Sequence, residues 1–433
     1  MSSAANRAGG AEGTDGTVED LDHFRQRARS FIRANLRPMT ARTAARTLRN
    51  VHTDEEELAS VARDREIQRM LFDAGLAGIC FPEEYGGQGL TPAHQRVLNE
   101  ELTGYEYPAH LQSPTFSPCA AVLLDFGTEA QKQQHIPAIL KGEEIWMQFL
   151  SEPGGGSDVA GALTTAVRDG EAWVLNGSKI WTTGAWWSDW ALCLARTNWD
   201  VPKHRGLTVF VLPITREGVE VHRIEMINGN REFCQEFLTD VVVPDTDRVG
   251  EVDDGWTVGT RWMFHERMLM NSPYVTVPGD ARTGMASAPL SGIARDAGRI
   301  DDPHARDLIG EARELQLVNR QLERRLADGI RAGQMNEQAG AIGRLFGGMT
   351  VTRRTTIAFE LAGAAAAAWT DQDGELAEVG TDFLLRQVSC IGGGTTEMAR
   401  NVISERVLGM PREQALDRGV PFRDVPRSGS RQG

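Results

Sequence analysis

The sequence predicts an α+β chain in three parts. These are an N-terminal helical domain (residues 18–143), a middle β-barrel or sandwich domain (144–250) and a C-terminal helical bundle (251–413). Three observations carry this. Apolar residues recur at three and four in the first part: Leu21, Phe24, Ala28, Phe31 and Ile32. From Glu144 to Val243 short β-rich runs (AWVLNG, KIWTTG, DWALCLART, GLTVFVLP, GVEVHRI, CQEFLTDVVVP) are punctuated by Gly, Pro, Asn and Asp. After Trp256 helical spacing returns, with Leu308, Leu315 and Leu322 seven apart and Ala312 and Leu326 offset by four.

Taken in order, residues 1–17 are small and polar and are expected to be disordered. Helical patterns cover Val18–Arg46 and Glu55–Ala74, the second stopped by Gly75. FPEEYGGQGL reads as a loop, and helical segments run from Pro92 to Leu140. The bundle continues with helices over Met335–Trp369 and Thr381–Ser389. A last helix starts at Thr395 and ends at Leu408, before Gly409 and Pro411. The tail 414–433 is expected to be disordered, mobile from Arg418 on.

A chain of 433 residues with 41% apolar residues has room for two or three domains sharing a large core. Its net charge of −14 argues against nucleic acid and against an anionic membrane surface. The apolar run Ala362–Trp369 is too short to span a bilayer. Five scattered cysteines show no metal-binding spacing, and read as reduced thiols of a cytoplasmic protein. The N-terminus lacks the basic and apolar regions of a secretory signal.

The most informative stretch is Phe149–Gly184. Gly154, Gly155 and Gly156 follow Pro153 and precede Ser157 and Asp158, a turn whose amides a ligand can approach closely. Two hairpin signals follow, Asp169-Gly170 and Asn176-Gly177. Trp181 and Thr183 then share one strand face, a flat aromatic beside a hydroxyl donor. On residues alone, a cofactor site and a surface hairpin with a core Trp stand level.

FLSEPGGGSD followed by NGSKIWTTG resembles the flavin-binding signature of the acyl-CoA dehydrogenase family. LFDAGLAGICFPEEYGGQGL, FGTEAQKQQHIPAILKGE, VVVPDTDRVGEVDDGW and IGGGTTEMARNVISERVLGMPRE resemble further family segments in the family's order, over about residues 55–413. The resemblance implies an acyl-CoA dehydrogenase-like fold, bound FAD and removal of an α-proton and a β-hydride from an acyl-CoA thioester. It also implies an electron-transfer flavoprotein as acceptor and a homo-oligomer (dimer or tetramer), or a heteromer with a related chain. By motif position, Phe149, Leu150 and Ser151 line the flavin ring and Gly156 and Ser157 approach its ribityl-pyrophosphate region. Trp181 packs on the ring, Thr183 donates toward N5, and Thr395 and Glu397 meet the cofactor from the bundle. Thr395 also suits a plain helix N-cap.

The base is where the sequence departs. Many members carry Tyr-Glu-Gly-Thr in the last loop, and that Glu is the base. Here the loop reads Ile391-Gly392-Gly393-Gly394-Thr395, with Gly393 in its place. A minority of the family puts the Glu on the first helix of the C-terminal bundle, and Glu266 of FHERM matches that position. The Gly393 N–H is then expected to help polarise the thioester carbonyl. Arg267 matches a coenzyme A-holding position, and His265 reads as a packing residue. On residues alone Glu266 is an ordinary helix-surface carboxylate; the resemblance makes it the expected base.

The family's Arg-x-x-Phe-Gly element, lent across a subunit interface, has no match. The Gln-x-x-Gly-Gly element becomes Glu360-Leu361-Ala362-Gly363-Ala364. The acyl pocket is expected to tolerate branched or bulky chains. Two other readings keep the fold: a related flavin oxidase or monooxygenase, and a non-catalytic subunit of a heteromeric dehydrogenase.

Overall fold

The computed structural model describes residues 18–39, 53–269, 272–278, 289–368, 375–415 and 417–426. The expected disordered segment 1–17, the helical pattern beyond residue 39 and the last residues of the tail lie outside them.

Three helices open the chain. α1 (Leu21–Asn35) starts at Asp20, whose carboxylate accepts from the amides of Asp22 and His23, and it buries Phe24, Ala28 and Ile32. It ends well short of Arg46. α2 (Asp54–Asp73) begins with a reciprocal capping box between Thr53 and Glu56. α3 (Pro92–Glu101) carries its proline in the first turn. These three pack on one another through Ile67, Leu71, Leu76 and Leu98. α4 (Ala121–Phe126) and α5 (Glu129–Leu140) follow an irregular segment, Gln112–Ala120, inside what the spacing predicted as helix.

The middle domain is an eight-stranded sheet. Its strands are β1 (Trp146–Phe149), β2 (Thr165–Asp169), β3 (Ala172–Thr183), β4 (Trp190–Arg196), β5 (Leu207–Pro213), β6 (Val219–Arg223), β7 (Phe233–Pro244) and β8 (Arg248–Val249). The order is β6-β7-β3-β2-β4-β5-β8, with β1 parallel to β4. β4 and β5 are buried on both faces. Leu192, Leu194, Val209 and Val211 face the N-terminal helices, and Cys193, Ala195, Phe210 and Leu212 face the interior. Asp169-Gly170 makes the expected β2–β3 turn. Asn176-Gly177 does not turn: it lies within β3, at a register shift against β7. A Cβ at Gly177 would sit 2.5 Å from Thr164 Oγ1, so close packing requires glycine there.

Glu57 of α2 ties the helical domain to the sheet. Its carboxylate accepts from the indole N–H groups of Trp186 (3.2 Å) and Trp187 (2.8 Å) and pairs with Arg223. Arg223 also pairs with Asp54 and lies 4.1 Å from the centre of a Trp186 ring.

α6 (Gly255–Arg267) follows β8. It starts under the β5 backbone, where a Cβ at Gly255 would come within 2.6 Å of Leu207 main-chain atoms. The bundle then comprises α7 (Leu290–Asp296), α8 (Pro303–Arg331), α9 (Gly340–Ala362), α10 (Glu375–Leu385) and α11 (Thr396–Val402). Its core joins Leu308 and Ala312 of α8 to Ile357 and Leu361 of α9. α9 ends at Ala362, where Gly363 takes φ 62°, and a short turn over Ala364–Ala367 follows; the expected helix end at Trp369 lies outside the described residues.

The segment expected to be a mobile tail docks over residues 417–426. Phe422 is buried, stacks on Trp199 and lies 3.8 Å under the Arg196 guanidinium, and its amide donates to Val201 O. All five cysteines are unpaired. Among the described residues no helix is long and apolar enough to cross a membrane, and no His, Cys, Asp and Glu cluster could hold a metal.

Candidate active site

Two groups of predicted residues come from neighbouring parts of the sheet. Ile180 N donates to Ser151 O (3.0 Å), joining the glycine-rich segment to the strand of Trp181 and Thr183. Glu152 accepts from the amides of Leu163 and Thr164, and from the buried Lys179, 2.8 Å away. Lys179 also donates to Leu150 O and Leu194 O. This buried pair fixes the base of the loop. Gly155 closes a tight turn on Glu152, while Gly154, Gly156 and Ser157 are exposed. Among the described residues the amides of Gly154, Gly156 and Ser157 make no hydrogen bond, and a Cβ at Gly154 would meet nothing. Loop amides free of protein partners suit a phosphate-bearing ligand.

Trp181 sits at a β-bulge with φ 66° and is 56% exposed, although it is a large aromatic. A non-glycine residue held there costs about 1–3 kcal/mol. Thr182 turns into the domain and Thr183 is half-buried on the outer side. Leu150 is buried. The Phe149 ring is fully buried among Trp173, Phe210 and Leu212, so a cofactor can meet only its backbone.

Glu266 lies in the last turn of α6, half-buried, and among the described residues its carboxylate makes no hydrogen bond or ion pair. Burial raises its pKa above the ordinary carboxylate value, against the pull of Arg267. Its helix is anchored on three sides. His265 Nε2 lies 2.8 Å from Asp125, which also pairs with Arg261, and Ser117 Oγ donates to His265 O (3.1 Å). The Trp262 indole donates to the Gln148 side chain on β1. His265 therefore packs and positions, as expected, and Glu266 is the acid left over. Arg267 is exposed and forms no ion pair among the described residues.

Gly393 stands with φ 69° in the turn before α11, and a Cβ there would meet nothing within 4 Å. Arg344 of α9 holds that turn, donating to Ser389 O (2.6 Å) and Gly392 O (2.7 Å). Thr395 caps α11, its hydroxyl accepting from Met398 N, and Glu397 is exposed beside Arg400. Glu266 and Gly393 are thus held by different neighbours, and no hydrogen bond joins them among the described residues. Glu360 is engaged by Arg353, which also binds Glu311.

Sequence reasoning missed three groups around the bulge: Gln148, Trp262 and a fully buried Glu236 on β7. The signal for Glu236 was present. Cys234, Glu236 and Leu238 alternate inward along one strand.

Family models for the acyl-CoA dehydrogenase N-terminal, middle and C-terminal domains match residues 18–143, 148–241 and 253–408. The chain belongs to the acyl-CoA dehydrogenase family. Its relatives are oxidoreductases. The chain is 31% identical to acyl-CoA dehydrogenase IpdE1 of Mycobacterium tuberculosis over 398 residues, 92% of this chain and 99% of that protein. It is 32% identical to acyl-CoA dehydrogenase FadE34 of the same organism over 87% of this chain, but spans only 52% of that protein. Among solved structures, the Tcur3481-Tcur3483 steroid ACAD matches with TM-score 0.72 and 27% identity, covering 91% of this chain and 98% of that one. The ChsE4-ChsE5 complex of M. tuberculosis matches with TM-score 0.66 and 26% identity, covering 93% and 100%.

Proposed function

We propose that this protein desaturates an acyl-CoA thioester between its α and β carbons, using FAD, with Glu266 as the base. The observation that carries the reading is the state of Glu266. It is an unpartnered, half-buried acid on a helix whose Arg261, Trp262 and His265 side chains are anchored, in a chain with glycine where the loop carboxylate stands in many family members. Burial lifts its proton affinity toward that needed to take an α-proton near neutral pH.

The residues fit the cofactor's two ends unequally. The exposed Trp181, the half-buried Thr183 and the open amides of Gly154, Gly156 and Ser157 suit a flat ring followed by a phosphate. Bound FAD supplies the acceptor for the β-hydride. Thr183 offers a donor to the ring edge, and Trp181 a flat wall. Phe149, Leu150 and Ser151 line the ring side, Gly156 and Ser157 the pyrophosphate side, and Thr395 and Glu397 the bundle side. The Gly393 N–H polarises the thioester carbonyl, which acidifies the α-carbon, and Arg267 binds the coenzyme's anionic portion.

Among the similar structures, ChsE4-ChsE5 is a complex and the Tcur3481-Tcur3483 protein is called a steroid ACAD. With Arg-x-x-Phe-Gly missing and Glu360 in place, we read the protein as one chain of an oligomer whose partner, a related chain or a second copy, completes the diphosphate end. Apolar residues exposed on the bundle, among them Leu317, Val318, Met349 and Ile391, support such a partner. The open space at Gly393 and Gly394 supports a bulky, ring-bearing acyl group. Electrons then pass to an electron-transfer flavoprotein.

The test is purification alone and with candidate partner chains, followed by anaerobic mixing with acyl-CoA esters. A yellow protein that bleaches in wild type and stays yellow as Glu266→Gln supports the reading. Equal bleaching of both removes Glu266 from the mechanism. The missing arginine element also favours a second reading, a non-catalytic subunit; protein that stays colourless in every assembly would select it.

A further inference from the structure

Behind the exposed Trp181 lies a polar pair that the proposed chemistry leaves unused. Thr182 Oγ1 is 2.9 Å from Glu236 Oε2 and 3.2 Å from the backbone oxygen of Gln148. Glu236 is fully buried, and its second oxygen, Oε1, has no partner. A threonine hydroxyl carries one hydrogen. Facing a carboxylate and a carbonyl, it can satisfy only one. Facing a carboxylic acid and a carbonyl, it accepts from the acid and donates to the carbonyl, so both contacts are made.

We propose that Glu236 is a positioning residue held as a neutral acid, donating to Thr182 so that Thr182 donates onward to Gln148 and clamps the bulge presenting Trp181 and Thr183. The role of that bulge as a flavin wall rests on the function proposed above. The clamp does not. It spans β7, β3 and β1 and ends on the residue whose side chain accepts from Trp262, one turn before Glu266. The strained backbone at Trp181 has fixed ladder partners on both sides, Ile180 with Gln235 and Thr182 with Cys234. The clamp pins the inward side chain next to it.

The surroundings favour the neutral form. Burial outweighs Thr182 and Lys179 and pushes the Glu236 carboxyl up to about 8. Lys179 on β3 is the facing cation, and it is already committed to Glu152. The thiols of Cys193 on β4 and Cys234 on β7 are pushed up to about 11 and about 12 by burial, and add no charge near neutral pH.

The experiment compares the full chain with Glu236→Gln, Glu236→Ala and Thr182→Val. Infrared difference spectra between wild type and Glu236→Gln should show a protonated-carboxyl band at neutral pH that fades as pH rises through about 8. Hydrogen exchange of the Ile180–Gly184 amides should be unchanged in Glu236→Gln, which keeps a neutral donor, and faster in Glu236→Ala and Thr182→Val. FAD titrated by fluorescence quenching should bind Glu236→Gln like wild type at neutral pH. Glu236→Ala should bind about tenfold more weakly, as one lost buried hydrogen bond predicts. Absence of the band, or equal exchange in Glu236→Gln and Glu236→Ala, overturns the clamp. If the band and the exchange pattern appear but no variant binds FAD, the clamp stands and the flavin reading falls.

Discussion

Replacing Lys179 with methionine should destabilise the middle domain by about 3 kcal/mol near neutral pH. Lys179 is fully buried, and its ammonium has three oxygen partners: Glu152 at 2.8 Å, Leu194 O at 2.6 Å and Leu150 O at 3.3 Å. Removing one member of a buried pair costs about 3–5 kcal/mol, because the other charge stays behind unpaired. Here the lower end applies, since Glu152 keeps the amides of Leu163 (2.6 Å) and Thr164 (2.9 Å). Burial pushes the Glu152 carboxyl up, but Lys179 and those hydrogen bonds bring it below its ordinary value. The sign of the pH effect follows. A depressed acid contributes stability above the usual carboxylate pKa and loses it as pH falls. The gap between wild type and Lys179→Met should therefore shrink in acid. Adding Glu152→Gln removes the stranded charge while keeping an acceptor, and should recover roughly half the loss. Urea unfolding followed by tryptophan emission at neutral and acidic pH measures all three. With a slope of about 1–3 kcal/mol per molar urea, the midpoint moves by about 1–3 M. A loss under about 1 kcal/mol at neutral pH, or a gap that widens in acid, refutes the argument.

Four further outcomes are expected. Glu266→Gln should lower the rate of flavin bleaching by about 10²–10⁴-fold with acyl-CoA affinity largely kept, read by anaerobic stopped flow; a fall in affinity alone contradicts it. In wild type the rate should rise with pH through a Glu266 pKa raised by burial, and Arg267→Met, which removes the opposing cation, should move that limb to higher pH. Wild type should lose stability relative to Glu236→Gln between pH 4.5 and about 8, by at most about 1.4 kcal/mol per pH unit, because the folded state keeps a proton that the unfolded chain releases; parallel stability profiles rule this out. Phe422→Ala should free the docked tail at a cost of about 1–3 kcal/mol and speed tryptic cleavage at Arg418 and Arg423, which a protease time course with mass spectrometry reads.

The three-layer plan was legible because period and punctuation agreed: Phe24, Ala28 and Ile32 fall on one buried helix face, and β4 and β5 read as apolar runs between turns. What failed did so for local reasons. Asn176-Gly177 carries the residues of a tight turn but serves a bulge, where Gly177 admits Thr164 at short range. The last ten described residues look like a polar tail, yet one phenylalanine over a buried arginine and a tryptophan docks them. At the proposed site, Glu266 and Gly393 are assigned through motif position alone, because an acid on a helix looks the same whether or not neighbours leave it unpaired. The Glu236–Thr182 contact was invisible, since which inward residues meet across β3 and β7 depends on two register shifts that no local pattern encodes.

The fastening at Glu57 bears on which parts of the chain open together. That carboxylate and the continuous apolar packing beneath it bind the first helices, the sheet and α6 into one body, while the later helices keep an apolar centre of their own. Breathing follows the thinnest packing. Opening of the later helices should therefore leave the sheet that carries Trp181 closed to exchange.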